Sequence, residues 1–488
     1  MSEAGHPFRL VVNKAAPRPV IKGIYLITDQ GDNLRERVAT ALRGGVSVLQ
    51  YRAKDKDFDA CLSEGAELKK LCLDYGVPFI VNDDLKLARA LDADGIHLGQ
   101  DDATLTEARQ YLGADKIIGI STHNLDEALR AEEQGADYIG FGAVYPTESK
   151  QVTHMPGTSG LSSIRDRIRI PVVAIGGITA SNACRVIDAG ADALAVISSI
   201  LSSPRPDISA AELKLLFNRN ETFTRGSVLT VAGSDSGGGA GIQADIKTIT
   251  LLGSYASSVL TALTAQNTRT VSAIHGLPPS FVIEQLNAVL SDIQVDVIKT
   301  GMLHTPAIIS NLAEYLTERQ TLLPMVVDPV MIATTGASLM ESDGSHIFKK
   351  QLLPLSYLLT PNIPEAEKLL CRTIRNEKDM EQAARDLHVM GAANVLIKGG
   401  HLTGQQSIDI LFDGQECHHY SNERIFTINT HGTGCSYASA IAALLAQGEP
   451  LKSAIGKAKL FITAAIKLAK PIGRGRNPVN HFAAVKLI

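Results

Sequence analysis

GIYLITD (23–29), GVSVLQYR (45–52), VPFIVND (77–83), GIHLGQ (95–100), IIGIST (117–122), YIGFGAVY (138–145), PVVAIGG (171–177) and ALAVISSI (193–200) decide the fold of the first half of the chain. Each run is short and apolar, many are rich in β-branched residues, and Gly or polar residues bound them, as expected of buried strands. Amphipathic stretches such as NLRERVATALRGG (33–45) lie between them and end in Gly, as helices often do. Eight such units in this length predict a (β/α)8 barrel. An open doubly wound sheet is the competing arrangement. The count of eight, and the phosphate-type signals after the last two runs, favour the barrel.

From 202 to 226 the pattern changes: SSPRPD breaks it, a short helical stretch follows, and then the polar NRNETFTRG. This predicts a barrel over 1–203, a linker over 204–226 and a second domain over 227–488. The second half restarts at SVLTVAGSDSGGGAG, with further strand candidates VDVIKTGM, PMVVDPVM, SYLLTPN and NVLIKGG alternating with helices. An α/β sheet covered by helices on both faces is expected there. The length of 488 residues suits roughly two to four domains, and 45% apolar residues fill their cores. A net charge of −4 gives no nucleic-acid footprint. Six cysteines at 61, 72, 184, 371, 417 and 435 form no C-x-x-C pair, which argues against a disulfide framework or a zinc site. The first twenty residues lack a signal-peptide core and no run is long enough to span a bilayer, so a cytoplasmic protein without membrane partners is expected. Homo-oligomerisation is compatible with the sequence, which does not fix it.

Gln50, Arg52 and Lys54 alternate along VLQYRAK and share one face of an extended strand end, the active end of a barrel. Alone, such a trio reads better as a solvated strand end with two ordinary surface cations. The next two runs end in acids, Asn82–Asp83 and Asp101–Asp102. Acids from neighbouring strand ends suit Mg2+, which takes one or two carboxylates plus substrate phosphate oxygens. Asp and Asn also favour turns, so each pair alone is weak. Ser121 ends the fifth run, and PTESK after the sixth supplies Thr147, Ser149 and Lys150, hydroxyls and an ammonium that suit phosphate. Gly176–Gly177 and Ile197–Ser198 follow runs seven and eight, where barrels often hold phosphate on backbone N–H groups.

QYRAK, NDD…DGIHLGQDD, YPTESK, AIGGIT and VIS, in this order over roughly 20–203, resemble thiamin-phosphate synthase. The resemblance implies that Gln50, Arg52, Lys54 and Asn82 hold a pyrimidine diphosphate, and that Asp83 and Asp102 ligate Mg2+. It implies that Ser121 and Lys150 touch the diphosphate substrate. Thr147 to Ser149, Gly177, Ile197 and Ser198 would hold thiazole phosphate. Ser149 stands where Thr is usual and keeps the hydroxyl. Tyr51 in QYR points away from the donor face. The implied reaction joins the thiazole nitrogen to the pyrimidine methylene and expels diphosphate, so no enzymic nucleophile is needed.

In the second half, GSDSGGGAGIQAD (233–245) is a Gly-rich strand-to-helix loop without the G-K-[ST] ending of a Walker loop. HGTG (431–434) opens a small-residue helix whose N–H groups would face an anion, although an isolated GTGC reads better as a helix start with a buried structural Cys. AGSDSGGGAGIQADIKT, TALTAQNT, KTGML, VVDPVM, TPNIPEAE, KGGH and NTHGTGC, spanning 227 to about 481, resemble hydroxymethylpyrimidine and hydroxymethylpyrimidine-phosphate kinase of the ribokinase superfamily. The resemblance implies a three-layer α/β/α fold and ATP as co-substrate. It places Asp245, Gln266 and Met302 at the pyrimidine pocket, Lys398 on the ATP phosphates and Asp328 near the metal. Gly432, Gly434 and Cys435 would form the anion hole, with Cys435 where Asp is usual. Pyridoxal kinases normally carry that Asp, so the Cys favours the pyrimidine enzyme, with pyridoxine as an alternative substrate. GRGRNPV (473–479) replaces a Gly-Lys-Gly-like tail and leaves Arg474 or Arg476 as candidates for its role. Together the halves imply three consecutive steps, from hydroxymethylpyrimidine to thiamin phosphate. The rival of another class is a non-catalytic regulator that binds thiamin precursors.

Overall fold

The computed structural model describes residues 21–54, 56–147, 155–221, 224–331 and 344–486. The chain forms two compact units. In the first, β1 (Gly23–Ile27), β2 (Val48–Tyr51), β3 (Phe79–Asn82), β4 (Gly95–Leu98), β5 (Ile117–Thr122), β6 (Tyr138–Gly142), β7 (Val172–Ile175) and β8 (Ala193–Val196) form a closed barrel. Each falls within one of the eight predicted runs. All neighbours are parallel, and β8 pairs back onto β1 through Gly23↔Ala193 to Leu26↔Val196. Closure removes both sheet edges. Tyr25, Ile27, Val48, Ile80, Ile117, Tyr138, Val173 and Ala193 form one buried cluster. The loops after the strands are fixed by local caps. Asp84 accepts from the amides of Lys86 and Leu87 to start one helix, and Thr104 with Glu107 forms a capping box on the next.

The second unit carries a nine-stranded sheet of order β11-β10-β9-β12-β13-β14-β15-β16-β17. Its strands are β9 (Ser227–Asp235), β10 (Tyr255–Gln266), β11 (Val271–Gly276), β12 (Val297–Thr300), β13 (Met325–Val327), β14 (Leu358–Leu359), β15 (Asn394–Ile397), β16 (Gln406–Phe412) and β17 (Cys417–Glu423). From β10 to β15 the neighbours are parallel, and β11, β16 and β17 join antiparallel. Apolar clusters on both sheet faces complete a three-layer α/β/α sandwich: one holds Leu229, Val231 and Ile298, the other Val228, Val297 and Val326. Alternation along β9 sends Val228 to one face and Leu229 to the other.

The stretch expected to be a linker is not an open tether throughout. Pro206–Leu215 is a helix, started by Pro at its first turn. Its Ile208 and Leu215 are buried with Val228, Ala438 and Leu445 in the second unit's core. Burial of apolar side chains at helical spacing, rather than the breaker cluster before them, decides where this segment belongs. Among the described residues, no helix is long and apolar enough to cross a membrane.

Candidate active sites

At the C-terminal rim of the barrel, β2 alternates its faces. The Tyr51 hydroxyl reaches back to Glu64 on the following helix, 2.7 Å away, while Gln50 is buried on the opposite side. The Gln50 Nε2 has no hydrogen-bond partner among the described residues. A buried amide left unpaired is costly, so this donor has capacity for one further acceptor. The Arg52 amide donates to the Thr28 hydroxyl (2.8 Å), which pins the start of the next loop to the end of β1. Lys54 beyond it is exposed.

Asn82 and His97 sit at one level in the β3–β4 register. Asp83 follows in the left-handed region at φ 62°, with the Asn82 amide donating to its carboxylate at 2.5 Å. The third residue of NDD, Asp84, is spent on the helix cap. The Asp102 carboxylate accepts from the Gly99 amide at 2.7 Å. Gly177 has φ 59°, and a Cβ there would lie 2.3 Å from the Pro146 carbonyl oxygen, so the turn after β7 runs directly against the loop that carries Thr147. Ile197 packs partly buried on the barrel core, and Ser198 opens the helix Ser198–Leu201. Ser149 and Lys150 lie outside the described residues.

The barrel interior also holds a polar chain that strand patterns did not single out. The Tyr25 and Tyr138 hydroxyls are 2.7 Å apart, Tyr138 reaches His97 Nδ1 at 3.0 Å, and His97 Nε2 reaches the Ser121 hydroxyl at 2.9 Å. Burial pushes both phenols above their ordinary pKa, so they stay protonated. Two glycines make room for the chain. A Cβ at Gly119 would sit 2.0 Å from the Tyr138 ring, and one at Gly140 3.0 Å from His97. Gln100 donates to the Ser121 carbonyl, so Ser121 is held from two sides. The sequence signal was a His and a Tyr within otherwise apolar strand runs.

In the second unit a cavity of about 530 Å3 is lined by Gln266, Met302, Asp328, Lys398, Gly432, Gly434 and Cys435, among others. Asp245 is not among them. It is fully buried and receives Lys299 Nζ at 2.8 and 2.9 Å, the Thr230 hydroxyl at 2.6 Å and the Ser439 hydroxyl at 2.7 Å. The helix Gly241–Leu251 turns this acid into the core, so the expected pocket role does not fit its position. Asp235, ten residues earlier at the end of β9, lines the cavity instead. Its carboxylate accepts from the amides of Gly237, Gly239 and Ala240 at 2.7 to 3.1 Å and pairs with His431 Nε2 at 2.8 Å. The Gly-rich loop therefore wraps an internal carboxylate. Burial alone would raise the Asp235 pKa, but the His431 hydrogen bond and these amides hold it below the ordinary value.

Gly432 caps the helix Thr433–Ala446 at φ 79°, and a Cβ there would strike the Gly239 carbonyl oxygen at 1.7 Å. Only glycine lets the two loops meet. At the same helix start, Lys398 Nζ binds Asp328 at 2.7 Å, and a Cβ on Gly434 would lie 3.4 Å from that ammonium. Glu365 also lines the cavity, and its pKa is pushed up to about 7, chiefly by burial, with Lys398 opposing and Asp328 adding to the rise. Within TPNIPEAE nothing local marks this acid apart from Glu367, two residues on. Desolvation pushes the Cys435 thiol up to about 11 against the pull of Lys299, so it is a neutral thiol near pH 7.

The family model for thiamine monophosphate synthase matches residues 24–200, and that for phosphomethylpyrimidine kinase matches residues 235–480. A thiamine biosynthesis bifunctional protein ThiED of Geobacter sulfurreducens is 58% identical over 486 residues, covering 100% of this chain and 99% of that protein. The chain belongs to this bifunctional family of thiamine biosynthesis. Its barrel is a thiamine-phosphate synthase and its second unit a hydroxymethylpyrimidine/phosphomethylpyrimidine kinase. The kinase of that description from Rhizobium meliloti is 46% identical over 257 residues, which cover 52% of this chain and 96% of that protein. Among solved structures, an ADP complex of Bacillus subtilis pyridoxal kinase aligns with a TM-score of 0.50 and 37% identity, over 53% of this chain and 98% of that one. This agrees with the ribokinase-like fold of the second unit.

Proposed function

We propose that one chain runs three consecutive steps: transfer of the ATP γ-phosphoryl group to hydroxymethylpyrimidine, a second transfer to its monophosphate, and coupling of the diphosphate to thiazole phosphate. The observation that carries the kinase steps is a single cavity lined both by Gln266 and Met302 and by the Lys398–Asp328 pair beside Gly434. Gln266 reads the polar edge of the pyrimidine and Met302 packs on its ring. Lys398 holds ATP phosphate oxygens, and the N–H groups after Gly432 meet the charge that develops on the transferred phosphoryl group. The ADP- and AMP-PCP-bound pyridoxal kinase structures, each with a TM-score of 0.50, support ATP as co-substrate. Cys435, as a neutral thiol, packs and donates rather than taking a proton.

In the barrel the thiazole nitrogen supplies the electron pair, and the methylene–oxygen bond breaks as diphosphate leaves. Gln50, Arg52, Lys54 and Asn82 hold the pyrimidine diphosphate, with Ser121 and Lys150 on its phosphates. Thr147 to Ser149, Gly177, Ile197 and Ser198 hold the thiazole phosphate. The donor chemistry fits Mg2+. Asp83 and Asp102 offer hard oxygens after neighbouring strands, and in the kinase Asp328 after β13 does so with Glu365 on the helix Ile363–Leu370. Held by these carboxylates, a bound Mg2+ would supply charge neutralisation at the phosphates and at the leaving group. Among the described residues, the group of three side chains spaced for a metal, Asp413, Glu416 and His418, lies elsewhere and already receives Lys452.

The test is turnover. The chain is incubated with hydroxymethylpyrimidine, ATP, Mg2+ and thiazole phosphate, and thiamin phosphate is sought by mass spectrometry. Binding of the precursors with no product would replace this reading with the precursor-binding regulator. Pyridoxal supplied as a competing acceptor measures the selectivity of the kinase cavity.

A further inference from the structure

The kinase must use two acceptors of opposite electrostatic character at one cavity. The first is a neutral alcohol, whose proton must leave as its oxygen attacks the γ-phosphorus. The second is a phosphate monoester carrying close to two negative charges near pH 7. Its oxygen attacks without losing a proton. The new P–O bond forms, the bond from the γ-phosphorus to the β-phosphate bridging oxygen breaks, and the electron pair leaves with ADP. The second step therefore needs charge compensation at the acceptor more than it needs a base.

The C-terminal loop supplies a cation to the same cavity. The amides of Ile472 and Gly473 both donate to Asn477 Oδ1, at 2.9 and 2.7 Å, and Asn477 Nδ2 donates back to the Gly475 carbonyl at 2.9 Å. Asn477 is 2% exposed, so this knot is built into the fold. The Arg476 amide donates to the Thr268 carbonyl at 2.8 Å, and the His431 amide donates to the Asn477 carbonyl at 3.0 Å. A Cβ on Gly475 would collide with the Thr268 carbonyl oxygen at 2.1 Å, which fixes how closely the loop lies on the turn after Gln266. The backbone of Arg476 is thus clamped between the turn that follows Gln266 and the loop that carries His431. Arg476 is among the residues that line the cavity; Arg474 is not.

The other cations of the cavity are differently placed. Lys398 and Lys459 are paired with Asp328 and Asp409, each at 2.7 Å. The Arg424 guanidinium is spent on the carbonyls of Gly400, Gly404 and Gln406. Lys368 stands on the helix Ile363–Leu370 that carries Glu365. Among the described residues, Arg476 has no carboxylate within ion-pair distance.

We propose that Arg476 receives the phosphate of the pyrimidine monophosphate and so makes the second phosphorylation possible in a cavity shaped for the first. This rests on the kinase reading above. A guanidinium binds a phosphate through two parallel N–H donors, which fixes the oxygen that attacks as well as its charge.

The two steps are assayed separately on the full chain, with hydroxymethylpyrimidine or its monophosphate as acceptor, in wild type, Arg476→Gln and Arg476→Lys. For Arg476→Gln, kcat/KM on the monophosphate should fall about 10- to 100-fold further than kcat/KM on the alcohol, through KM first. Arg476→Lys should recover a large part of that loss, since it keeps the charge. Equal losses on both acceptors would overturn the proposal, as would a raised KM for ATP with an unchanged KM for the monophosphate. A wild-type chain that phosphorylates neither acceptor would instead refute the kinase reading itself, and the proposal with it.

Discussion

Removing Lys299 separates a structural role for Asp245 from a substrate role. Both side chains are fully buried, and the ammonium lies 2.8 Å from the carboxylate. Desolvation opposes the charge on Lys299, yet Asp245 outweighs it and holds the ammonium above its ordinary pKa. Lys299→Met would strand the carboxylate with only the Thr230 and Ser439 hydroxyls to offset it. Breaking a buried pair from one side costs about 3–5 kcal/mol, because an uncompensated charge remains in the core. For a unit of this size that is roughly 2–4 °C per kcal/mol, or about 6–20 °C in the melting of the kinase unit. The double variant Lys299→Met/Asp245→Leu removes both charges and should regain most of the loss. Melting can be followed by calorimetry on the full chain, with coupling activity reporting the barrel separately. The reasoning fails if the single and double variants melt alike. It fails equally if Asp245→Asn keeps the wild-type melting temperature but raises KM for hydroxymethylpyrimidine, since Asp245 would then touch substrate.

Four further outcomes follow from the sites. Asp83→Asn should cut coupling sharply at limiting Mg2+ while phosphorylation persists; unchanged coupling would remove Asp83 from the site. Cys435→Ala should slow phosphoryl transfer less than Gly434→Pro, which deletes a helix-start N–H and distorts the loop. With a neutral thiol, the wild-type pH–rate profile should show no thiolate step between about pH 6 and 9, and a dead Ala variant beside an active Pro variant would refute the anion-hole reading. His97→Leu breaks the chain to Ser121 and should lower coupling by about tenfold, at about 1–3 kcal/mol for a buried partner left unpaired; a Ser121→Ala/His97→Leu double variant should lose little more than either single one. A kinase fragment that starts at residue 204 should melt above one that starts at 222, because only the longer one keeps Ile208 and Leu215 in the core; equal melting would make Pro206–Leu215 dispensable.

The sequence determined what depends on neighbours along the chain. Eight apolar runs spaced by amphipathic stretches are enough for a barrel, because backbone hydrogen bonding and side-chain alternation are local. The same holds for Gln50 and Tyr51 facing opposite ways, and for Gly432 at a helix start. The tertiary structure decided which of several like residues faces the cavity. GSDSGGGAGIQAD holds two acids, and nothing local separates them. Asp235 meets loop amides and His431, 196 residues on, whereas Asp245 meets Lys299, 54 residues on. The Tyr25–Tyr138–His97–Ser121 chain draws one residue from each of four strands and exists only because the barrel closes. The stretch 206–215 looked like part of a linker because breakers precede it, and it became core because its apolar face found Val228 and Ala438. Where a buried polar group finds its partner is a long-range choice, fixed by the cost of leaving that group unpaired, and only the folded chain makes it.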